Sequence, residues 1–419
     1  MNYLFLIDEH VPTHSANGIC MDKVMTELVR NNHEVYCISF ARKLMTPMPY
    51  SCFYISEKPW KKITNYFASN KRRVGKFVFN CLRGLYWIKR IALLFIWPVN
   101  SISSIINYYT KSFKVINEYK INKLIAVSYP GETLLAAKLI KKTFQDRVQV
   151  LIFPLDVTTE GRTGGLLFER KLSRIGGRHL LNSCLETVDN ILVLENATSH
   201  FLACLKQELH QKIKYCGIPL ICCETECVDG IRANAENGIF QGERTINCVF
   251  AGKLLHDLRN PIPLLDLLEM CRIDGIDTIS FHLFGEADDR IKKAWTDRYK
   301  HVRIVEHGWV EERVLDDVLI SADVLINIGN TYSHLIPSKL FKYMSLRKPI
   351  LQLSFVPDDP CIFYLKKYGS SFILSPSCSS SDLNALIGFL TNRKQFVGSL
   401  CDLFPQCTPK YMAHLLEEP

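Results

Sequence analysis

The chain has 419 residues, which is more than one ordinary hydrophobic core accommodates and predicts two domains. With 47% hydrophobic and 22% charged residues, its composition is that of a globular protein and excludes a disordered or fibrous chain. Its net charge of +9 is uneven: residues 58–120 contain thirteen Lys or Arg and one acid, Glu118, so that this segment carries +12 and the rest carries −3.

The sequence predicts neither an export signal nor a membrane span. Its N-terminal apolar run extends only from Tyr3 to Ile7 and is followed by Asp8, whereas a signal peptide has a basic start and a longer apolar core. No apolar stretch approaches the roughly 18 residues of a membrane-spanning helix. We therefore expect a cytoplasmic protein whose contact with a membrane, where it has one, is peripheral.

The 16 cysteines are expected to be reduced thiols that pack as small hydrophobic side chains. Cys216, Cys222, Cys223 and Cys227 are close in sequence, but this group has no CxxC pair and no His at ligand spacing. The sequence therefore predicts no metal site.

Residues 1–220 alternate between strands and helices, which is the pattern of a parallel α/β domain. A polar loop follows the first strand and leads into a helix from Ile19 to Arg30; further helices are predicted at 132–142 and in a segment ending near His210. The strands are predicted at 3–7, 34–40, 123–128, 148–153, 190–195 and 212–216.

A polar, irregular linker is predicted at 221–244, a second α/β domain at 245–400, and a C-terminal helix at 401–419 that packs back on the first domain. The second domain has predicted strands at 247–252, 278–285, 302–308, 323–329 and 349–354. The predicted fold is thus α/β, with two Rossmann-like, doubly wound domains facing each other across a cleft. Ligands of such folds bind at the carboxyl ends of the strands.

The stretch PSKLFKYMSLRKPI at 337–350 reads as a short helix that starts at this cleft. Pro337 suits the first helical turn, where a missing N–H has no cost. Unpaired N–H groups and the helix dipole favour an anion there, and Lys339 adds a positive charge. Taken alone, however, the stretch is better explained as a surface helix with a fortuitous lysine.

Other strand ends strengthen the case for a phosphate site. Three predicted strands end at glycine, two of them followed by charged residues: Gly252 with Lys253 and Arg259, Gly285 with Glu286, and Gly308. Glycine lets the backbone approach a ligand closely, and basic side chains neutralise an anion. The combination suggests a nucleotide diphosphate site.

In these features the chain resembles the GT-B fold glycosyltransferases, in the group similar to bacterial cell-surface polysaccharide transferases. The resemblance covers most of the chain and is strongest at Asn17–Gly18, FAGKLLHDLR, EHGWVEERVLDDVLISADVLINI and PSKLFKYMSLRKPIL. It rests on the order and spacing of these segments, because none of them is specific by itself.

The resemblance implies a nucleotide-sugar donor site in the second domain. Lys253 and Arg259 would neutralise the diphosphate, and the backbone near Trp309 and Val310 would read the nucleobase. The remaining donor-binding residues on this interpretation are Asn17, Gly18, Gly252, Gly285, Glu286, Gly308, Pro337, Ser338, Lys339 and Lys342. The resemblance also implies that no metal and no cofactor is needed. Positive residues neutralise the donor diphosphate, and the nucleotide-sugar is itself a substrate.

Two positions depart from the resemblance. Many relatives have a Glu, which holds the donor ribose, where this chain has Lys342, and another Glu where it has His334. Either Glu311, Glu312 or another acid takes over the ribose contact, or activity is lost.

The predicted catalytic residues are Asp156 and Glu160, in the loop FPLDVTTE after a strand of the first domain. An inverting transferase needs a base to activate the acceptor hydroxyl, and Asp156 is the leading candidate for a base or acceptor-positioning group. The alternative is that Asp156 caps a turn. His10 and His14, in the first loop, are weaker candidates.

The basic segment predicts membrane contact. Lys76, Arg83 and Arg90 are seven residues apart and share a helical face, and Trp87 and Trp97 flank an apolar run. This combination fits a helix on anionic lipid. A core helix with basic residues facing water is the alternative, and a nucleic-acid patch is a third reading that no motif supports.

The sequence therefore favours a glycosyltransferase that moves a sugar from a nucleotide-sugar to a lipid-linked or growing glycan at an anionic membrane surface, without nucleic acid. One alternative is a nucleotide-sugar epimerase of the same fold, although the basic segment speaks against it. The other is a catalytically silent subunit of a glycan assembly complex, in view of Lys342 and His334.

Overall fold

A computed structural model describes residues 1–9, 16–40, 48–55, 93–128, 131–154, 167–221, 240, 244–331, 336–377 and 380–418. The chain divides into two compact units. The first contains 1–219 and 409–419, and the second contains 220–408.

The first unit is built on a seven-stranded sheet in which all pairs are parallel, with the order β3-β2-β1-β4-β5-β6-β7. Its strands are β1 (Asn2–Glu9), β2 (Glu34–Phe40), β3 (Ser51–Ile55), β4 (Lys123–Val127), β5 (Gln149–Phe153), β6 (Asn190–Leu194) and β7 (Ile213–Cys216). Apolar runs such as LIAV in β4 are fully buried because helices cover both faces of a parallel sheet.

The described helices of the first unit are α1 (Ala16–Arg30), α2 (Ile102–Tyr119), α3 (Gly131–Phe144), α4 (Leu167–Leu185) and α5 (Thr198–Cys204). Short 3-10 helices lie at Leu93–Ile96, Gln145–Arg147, Glu195–Ala197 and Gln207–Lys212. Helix α2 packs against α3, and α3 packs against α4, so that these three form one layer. The side chain of Ser101 caps α2 by accepting a hydrogen bond from the backbone N–H of Ser104.

The C-terminal stretch 401–419, predicted as one helix, forms two short helices and a 3-10 turn instead. Helix α12 (Leu400–Leu403) and the 3-10 turn Pro405–Cys407 belong to the second unit, whereas α13 (Pro409–Glu417) belongs to the first and packs on α1. The buried Lys123 donates a hydrogen bond from Nζ to the carbonyl of Leu416 at 2.9 Å, and burial lowers its pKa. This contact satisfies a carbonyl at the end of α13 that has no partner within the helix.

The second unit contains a six-stranded sheet in which all pairs are again parallel, with the order β10-β9-β8-β11-β12-β13. Its strands are β8 (Thr245–Leu254), β9 (Thr278–Ala287), β10 (Val302–Gly308), β11 (Val324–Ile328), β12 (Ile350–Leu353) and β13 (Ser371–Leu374). The helices are α6 (Ile262–Met270), α7 (Asp289–Trp295), α8 (Glu312–Ser321), α9 (Lys339–Ser345), α10 (Cys361–Tyr368) and α11 (Ser380–Asn392).

The core of the second unit follows the alternation of side chains along its strands. Cys248 and Phe250 of β8 and Phe281 and Leu283 of β9 are buried in one hydrophobic cluster with residues of α6 and α11. Their neighbours in sequence face the other side of the sheet, as the two-residue period of a strand requires.

Several predicted elements differ from the structure. The edge strands β3 and β13 were not predicted, and the helix expected to end near His210 is the shorter α5 followed by a 3-10 helix. The prediction of reduced thiols is wrong at Cys401, which is disulfide-bonded; ten other described cysteines are free thiols. No helix in the described ranges has the length and apolarity to cross a bilayer.

Two facing glycines allow β8 and β9 to approach each other at their carboxyl ends. Gly252 pairs with Gly285 in the register, and their φ angles are +151° and +143°. A Cβ atom on Gly285 would lie 1.9 Å from the carbonyl oxygen of Gly252.

We expect Gly285→Ala to lower the free energy of unfolding by about 1–3 kcal/mol or more. Alanine is strained at this φ, and its methyl group would clash with the backbone carbonyl of Gly252. The matched control is Gly388→Ala, since Gly388 lies within α11 and has open space around its Cα. Alanine there should be neutral or stabilising by up to about 1 kcal/mol. Urea unfolding of both variants measures the difference, and equal stability of the two would contradict the proposed close approach.

Candidate functional site

The strand order of the second unit identifies where a ligand binds. From β8 the chain runs outward through β9 to β10, and then crosses over to β11 on the other side of β8. The point between β8 and β11 is therefore the topological switch point, and crevices form there at the carboxyl ends of the strands.

Glycine and a charged pair occupy the end of β8. Gly252 and Lys253 lie inside strand β8 and not after its end, because β8 extends to Leu254. Lys253 is opposite Glu286 of β9, and their side chains form an ion pair at 3.6 Å in which each is 55% exposed. An exposed pair of this kind contributes little to stability and can rearrange when an anion arrives.

Arg259 is brought back to the strand end by a tight turn. The backbone N–H of Arg259 donates to the carbonyl of Leu255 at 2.7 Å, and these two residues also form an isolated antiparallel bridge. The Nε of Arg259 donates to Oδ1 of Asn330 at 3.0 Å. Asn330 lies two residues after the end of β11, so this hydrogen bond crosses the switch point.

Arg259 and Lys339 are two partly buried cations without a direct ion-pair partner within the described ranges, although Glu312 acts on Lys339 at longer range. Burial, together with the charges of Lys342 and Arg259, lowers the pKa of Lys339 from 10.5 to about 8, and burial also lowers the pKa of Arg259. Within the described ranges no carboxylate forms an ion pair with either residue. Partly buried cations without counter-charges are unfavourable by themselves, and an anionic ligand removes that cost.

Lys342 forms ion pairs with two acids of α8. Its Nζ lies 3.5 Å from Oε1 of Glu312 and forms a close ion pair with Asp316. Glu312 and Asp316 are four residues apart and therefore lie on one face of α8. Lys342 thus has two direct acidic partners, whereas Lys339 has no direct one within the described ranges, and Glu312 raises its pKa less than burial and the neighbouring cations lower it.

Helix α9, which carries Lys339 and Lys342, is anchored to the sheet by Tyr343. The backbone N–H of Ala251 donates to the Tyr343 hydroxyl at 3.1 Å, and burial raises the pKa of this phenol. Because α9 has only seven residues, we attribute anion binding to the side-chain charges and not to the start of the helix. Pro337 is buried and Ser338 is partly exposed just before it.

A buried polar network fixes the backbone next to Asn330. Asp359 accepts hydrogen bonds from Gln352 Nε2 at 3.0 Å, from Ser354 Oγ at 2.8 Å and from the backbone N–H of Cys361 at 2.9 Å. A Cβ atom on Gly329 would lie 2.2 Å from Oδ2 of Asp359, so only glycine fits there. The network thereby sets the position from which Asn330 contacts Arg259.

The other predicted donor residues of the second unit lie at the end of β10. Gly308 is the last residue of this strand and has φ +70°, which glycine adopts without strain. Trp309 follows it with 64% of its surface exposed, and Val310 is partly exposed. The exposed indole of Trp309 therefore lies at the carboxyl end of the edge strand β10, two strands away from β8.

The remaining predicted residues are elsewhere. Asn17 and Gly18 belong to the first unit and lie in the first turn of α1, because this helix begins three residues earlier than predicted. Trp97 also belongs to the first unit. The other predicted catalytic, loop and membrane residues lie outside the described residues: Asp156, Glu160, His10, His14, His334, Lys76, Arg83, Arg90 and Trp87.

The sequence prediction did not include Asn330, Tyr343, Asp316 or Asp359. Asn330 carried a usable signal, since a polar residue directly after a buried strand lies at the ligand-binding edge of a parallel sheet. Asp316 carried a weaker one, as the residue four positions after Glu312. Tyr343 and Asp359 contact the site only through the tertiary fold.

Solved structures share this architecture at low sequence identity. WaaG, a glycosyltransferase involved in lipopolysaccharide biosynthesis, is 12% identical over 98% of this chain and 95% of its own, with a TM-score of 0.53. The catalytic domain of starch synthase IV from Arabidopsis thaliana, bound to ADP and acarbose, is 10% identical over 99% and 98%, also with a TM-score of 0.53. A UDP-GlcNAc 2-epimerase from Neisseria meningitidis, bound to UDP-GlcNAc, is 12% identical over all of both chains, with a TM-score of 0.50.

These likenesses establish the fold. The predicted α/β fold of two Rossmann-like domains is confirmed, and the chain has the GT-B architecture that the sequence resemblance implied. No protein-family model matches the sequence, and no curated protein matches it either. Sequence identity near a tenth leaves the chemistry to be argued from the site.

Binding of a phosphate-containing ligand should depend on pH through Lys339. The charged lysine binds an anion, and it is present below its pKa of about 8. We therefore expect UDP affinity to be constant from about pH 7, where the phosphates are ionised, to about pH 8 and then to fall by up to tenfold per pH unit as the lysine loses its proton. Calorimetric titrations across this range measure the effect.

The matched variant is Lys339→Arg, because arginine keeps its charge throughout this range. Its UDP affinity should not change between about pH 7 and 9.5. The same decline in this variant and in the parent would show that another group titrates.

Proposed function

We propose that this protein is a glycosyltransferase that uses a nucleotide-diphosphate sugar as donor. The observation that carries the proposal is the pair of partly buried cations Arg259 and Lys339, which have no direct ion-pair partner among the described residues and lie at the switch point of a Rossmann-like sheet. A diphosphate matches this site because it presents several anionic oxygens to two cations held at one strand edge. Further support comes from two proteins with this fold: WaaG is a glycosyltransferase, and the catalytic domain of starch synthase IV binds ADP and acarbose.

In this proposal the two cations act on the leaving group. Transfer of the sugar breaks its bond to the diphosphate, and negative charge develops on the bridging oxygen. Arg259, oriented by Asn330, and Lys339 stabilise that charge, while Lys253 exchanges its partner Glu286 for a phosphate oxygen. The reaction then needs neither a metal nor a cofactor, and the exposed Trp309 lies where a base can stack.

The acceptor side is assigned from the sequence of the first unit. Asp156, three residues after the end of β5 in the sequence, is proposed as the base that takes the acceptor hydroxyl proton or as the group that positions the acceptor, with Glu160 nearby in the sequence. The acceptor is proposed to be a lipid-linked or growing glycan at the cytoplasmic face of a membrane. Support comes from the basic segment 58–120, which carries thirteen cationic residues.

An epimerase acting on a nucleotide-sugar is the second candidate. Its support is the shared fold with the Neisseria meningitidis UDP-GlcNAc 2-epimerase, which binds UDP-GlcNAc. An epimerase changes the sugar without any acceptor, whereas a transferase releases nucleoside diphosphate in proportion to acceptor. Incubation with nucleotide-sugar alone, followed by chromatography, separates the two activities: an epimerised nucleotide-sugar would overturn the transferase proposal.

A silent subunit is the third candidate, motivated by Lys342 and by His334 at positions where relatives have acids. The ion pairs of Lys342 with Glu312 and Asp316 place acids beside the phosphate-binding pair, which supports a working site. A silent subunit would bind none of the nucleotide-sugars.

Nucleoside diphosphates should raise the melting temperature, and Arg259→Ala should weaken that binding by roughly 1.5–3 kcal/mol, the contribution of a charged hydrogen bond. Lys253→Ala should weaken it less, because Lys253 is exposed and already paired. Thermal-shift titrations with UDP, ADP, GDP and dTDP measure both effects.

Arg298→Ala is the matched control, since Arg298 is a surface arginine of the same unit whose partner is Asp266. It should leave every nucleotide shift unchanged. A nucleotide that stabilises the parent, Arg259→Ala and Arg298→Ala equally would remove the proposed phosphate site.

A further inference from the structure

The helix layer of the first unit carries an unusual concentration of exposed apolar side chains. Fifteen large apolar residues are exposed within the described ranges, and seven of them lie on α2, α3, α4 or the adjoining 3-10 helix. These seven are Phe95, Ile102, Ile106, Phe113, Leu139, Phe168 and Ile175. Large exposed residues scattered singly need no explanation, but a concentration on one face marks an interaction surface.

Helix α4 presents apolar and basic side chains together. Phe168 and Ile175 are 51% and 58% exposed and lie seven residues apart, on one helical face. Arg170, Lys171 and Arg174 are exposed among them, whereas Glu169, the acid in the first turn, is buried. The outer face of this end of α4 is therefore apolar and positive, with no exposed acid.

The 3-10 helix Leu93–Ile96 extends this face. A Cβ atom on Gly176 would lie 2.6 Å from the carbonyl oxygens of Leu94 and Phe95, so the glycine lets the 3-10 helix lie directly on α4. Phe95 is 61% exposed, and its backbone lies against Gly176, the residue that follows Ile175 in α4. The close backbone contact fixes the 3-10 helix beside α4.

The basic residues of α4 are available to an external partner. Within the described ranges neither Lys171 nor Arg174 has an ion-pair or hydrogen-bond partner. In sequence, the 3-10 helix directly follows the most basic part of the chain, since ten of the thirteen cations of segment 58–120 precede it. The charge on this face therefore calls for an anionic partner.

We propose that the outer face of α4, with Phe95 beside it, docks on an anionic lipid bilayer. Phe95, Phe168 and Ile175 enter the boundary between head groups and acyl chains, and Lys171 and Arg174 contact lipid phosphates. A bilayer fits better than a protein partner because exposed apolar groups alternate with cations along a helix, without the acids that protein interfaces pair with them. This assignment uses side chains of α4 and the 3-10 helix and does not rest on the proposed enzyme activity.

The experiment is flotation of the full chain with vesicles of phosphatidylcholine and with vesicles containing roughly a third phosphatidylglycerol. Each cation near the surface contributes about fivefold in affinity, and a glutamate in its place adds a comparable repulsion, so Lys171→Glu with Arg174→Glu should weaken binding to anionic vesicles by at least about a hundredfold. Phe95→Ser with Ile175→Ser should remove the part of the binding that persists at high salt, since that part is apolar.

Helix α10 of the second unit supplies matched controls. Phe363 is 51% exposed there, and Lys366 and Lys367 are exposed nearby. Lys366→Glu with Lys367→Glu repeats the two charge reversals away from α4, and Phe363→Ser repeats one of the two apolar changes. These variants should float like the parent.

Three results would overturn the docking proposal. They are no flotation of the parent, equal flotation on neutral and anionic vesicles, and equal losses in the α4 and α10 variants. A change in sedimentation of the α4 variants without any change in flotation would assign this face to a second copy of the chain instead.

UDP binding, measured on the same samples, keeps this test separate from the proposed function. The α4 variants should bind UDP like the parent and melt at the same temperature. Loss of flotation by the α4 variants with UDP binding intact supports the docking surface. If the parent floats but binds no nucleotide, the docking proposal holds and the glycosyltransferase proposal is wrong.

Discussion

The repulsion between partly buried positive charges is the constraint around which the second unit is organised. Burial lowers the pKa of Lys339 most, and the charges of Lys342 and Arg259 lower it further. The fold keeps these groups together because each is anchored independently: Arg259 by Asn330, and helix α9 by the bond from Ala251 to Tyr343. Holding these cations together costs free energy in the absence of an anion, and a bound anion removes that cost. This difference in free energy favours anion binding.

Only some of the basic residues around this site form ion pairs with acids. Glu312 and Asp316 neutralise Lys342, and Glu286 pairs with the exposed Lys253, so two of the four basic residues have counter-charges before any ligand arrives. The two that lack them lie at the switch point. An anion is therefore drawn to Arg259 and Lys339 first, and the neighbouring acids limit how far the positive region extends.

Glycine and buried polar groups give the site its rigidity. The pair Gly252 and Gly285 brings two strand ends together, and Gly329 leaves room for the carboxylate of Asp359. Asp359 is satisfied by three donors and therefore holds the end of β11 in one position. The first unit uses the same device elsewhere, since Gly176 allows the 3-10 helix to lie on α4 and so builds a surface of a different kind.

The sequence by itself determined the fold class, most central strands and the residues at the ends of β8, β9 and β10. It could do so because buried parallel strands are continuous apolar runs, and glycine and charge at their ends are visible in one dimension. Edge strands β3 and β13 escaped because they are short and only partly buried. Only the tertiary structure decided which cations lack ion-pair partners. The ion pairs of Lys253 and Lys342 and the hydrogen bond from Arg259 to Asn330 join residues that are 26 to 71 positions apart in the sequence. The exposure of Phe95 and Ile175 could not be predicted from the sequence either. An apolar residue on a helix is expected in the core until the packing of its neighbours shows which face is exposed to solvent.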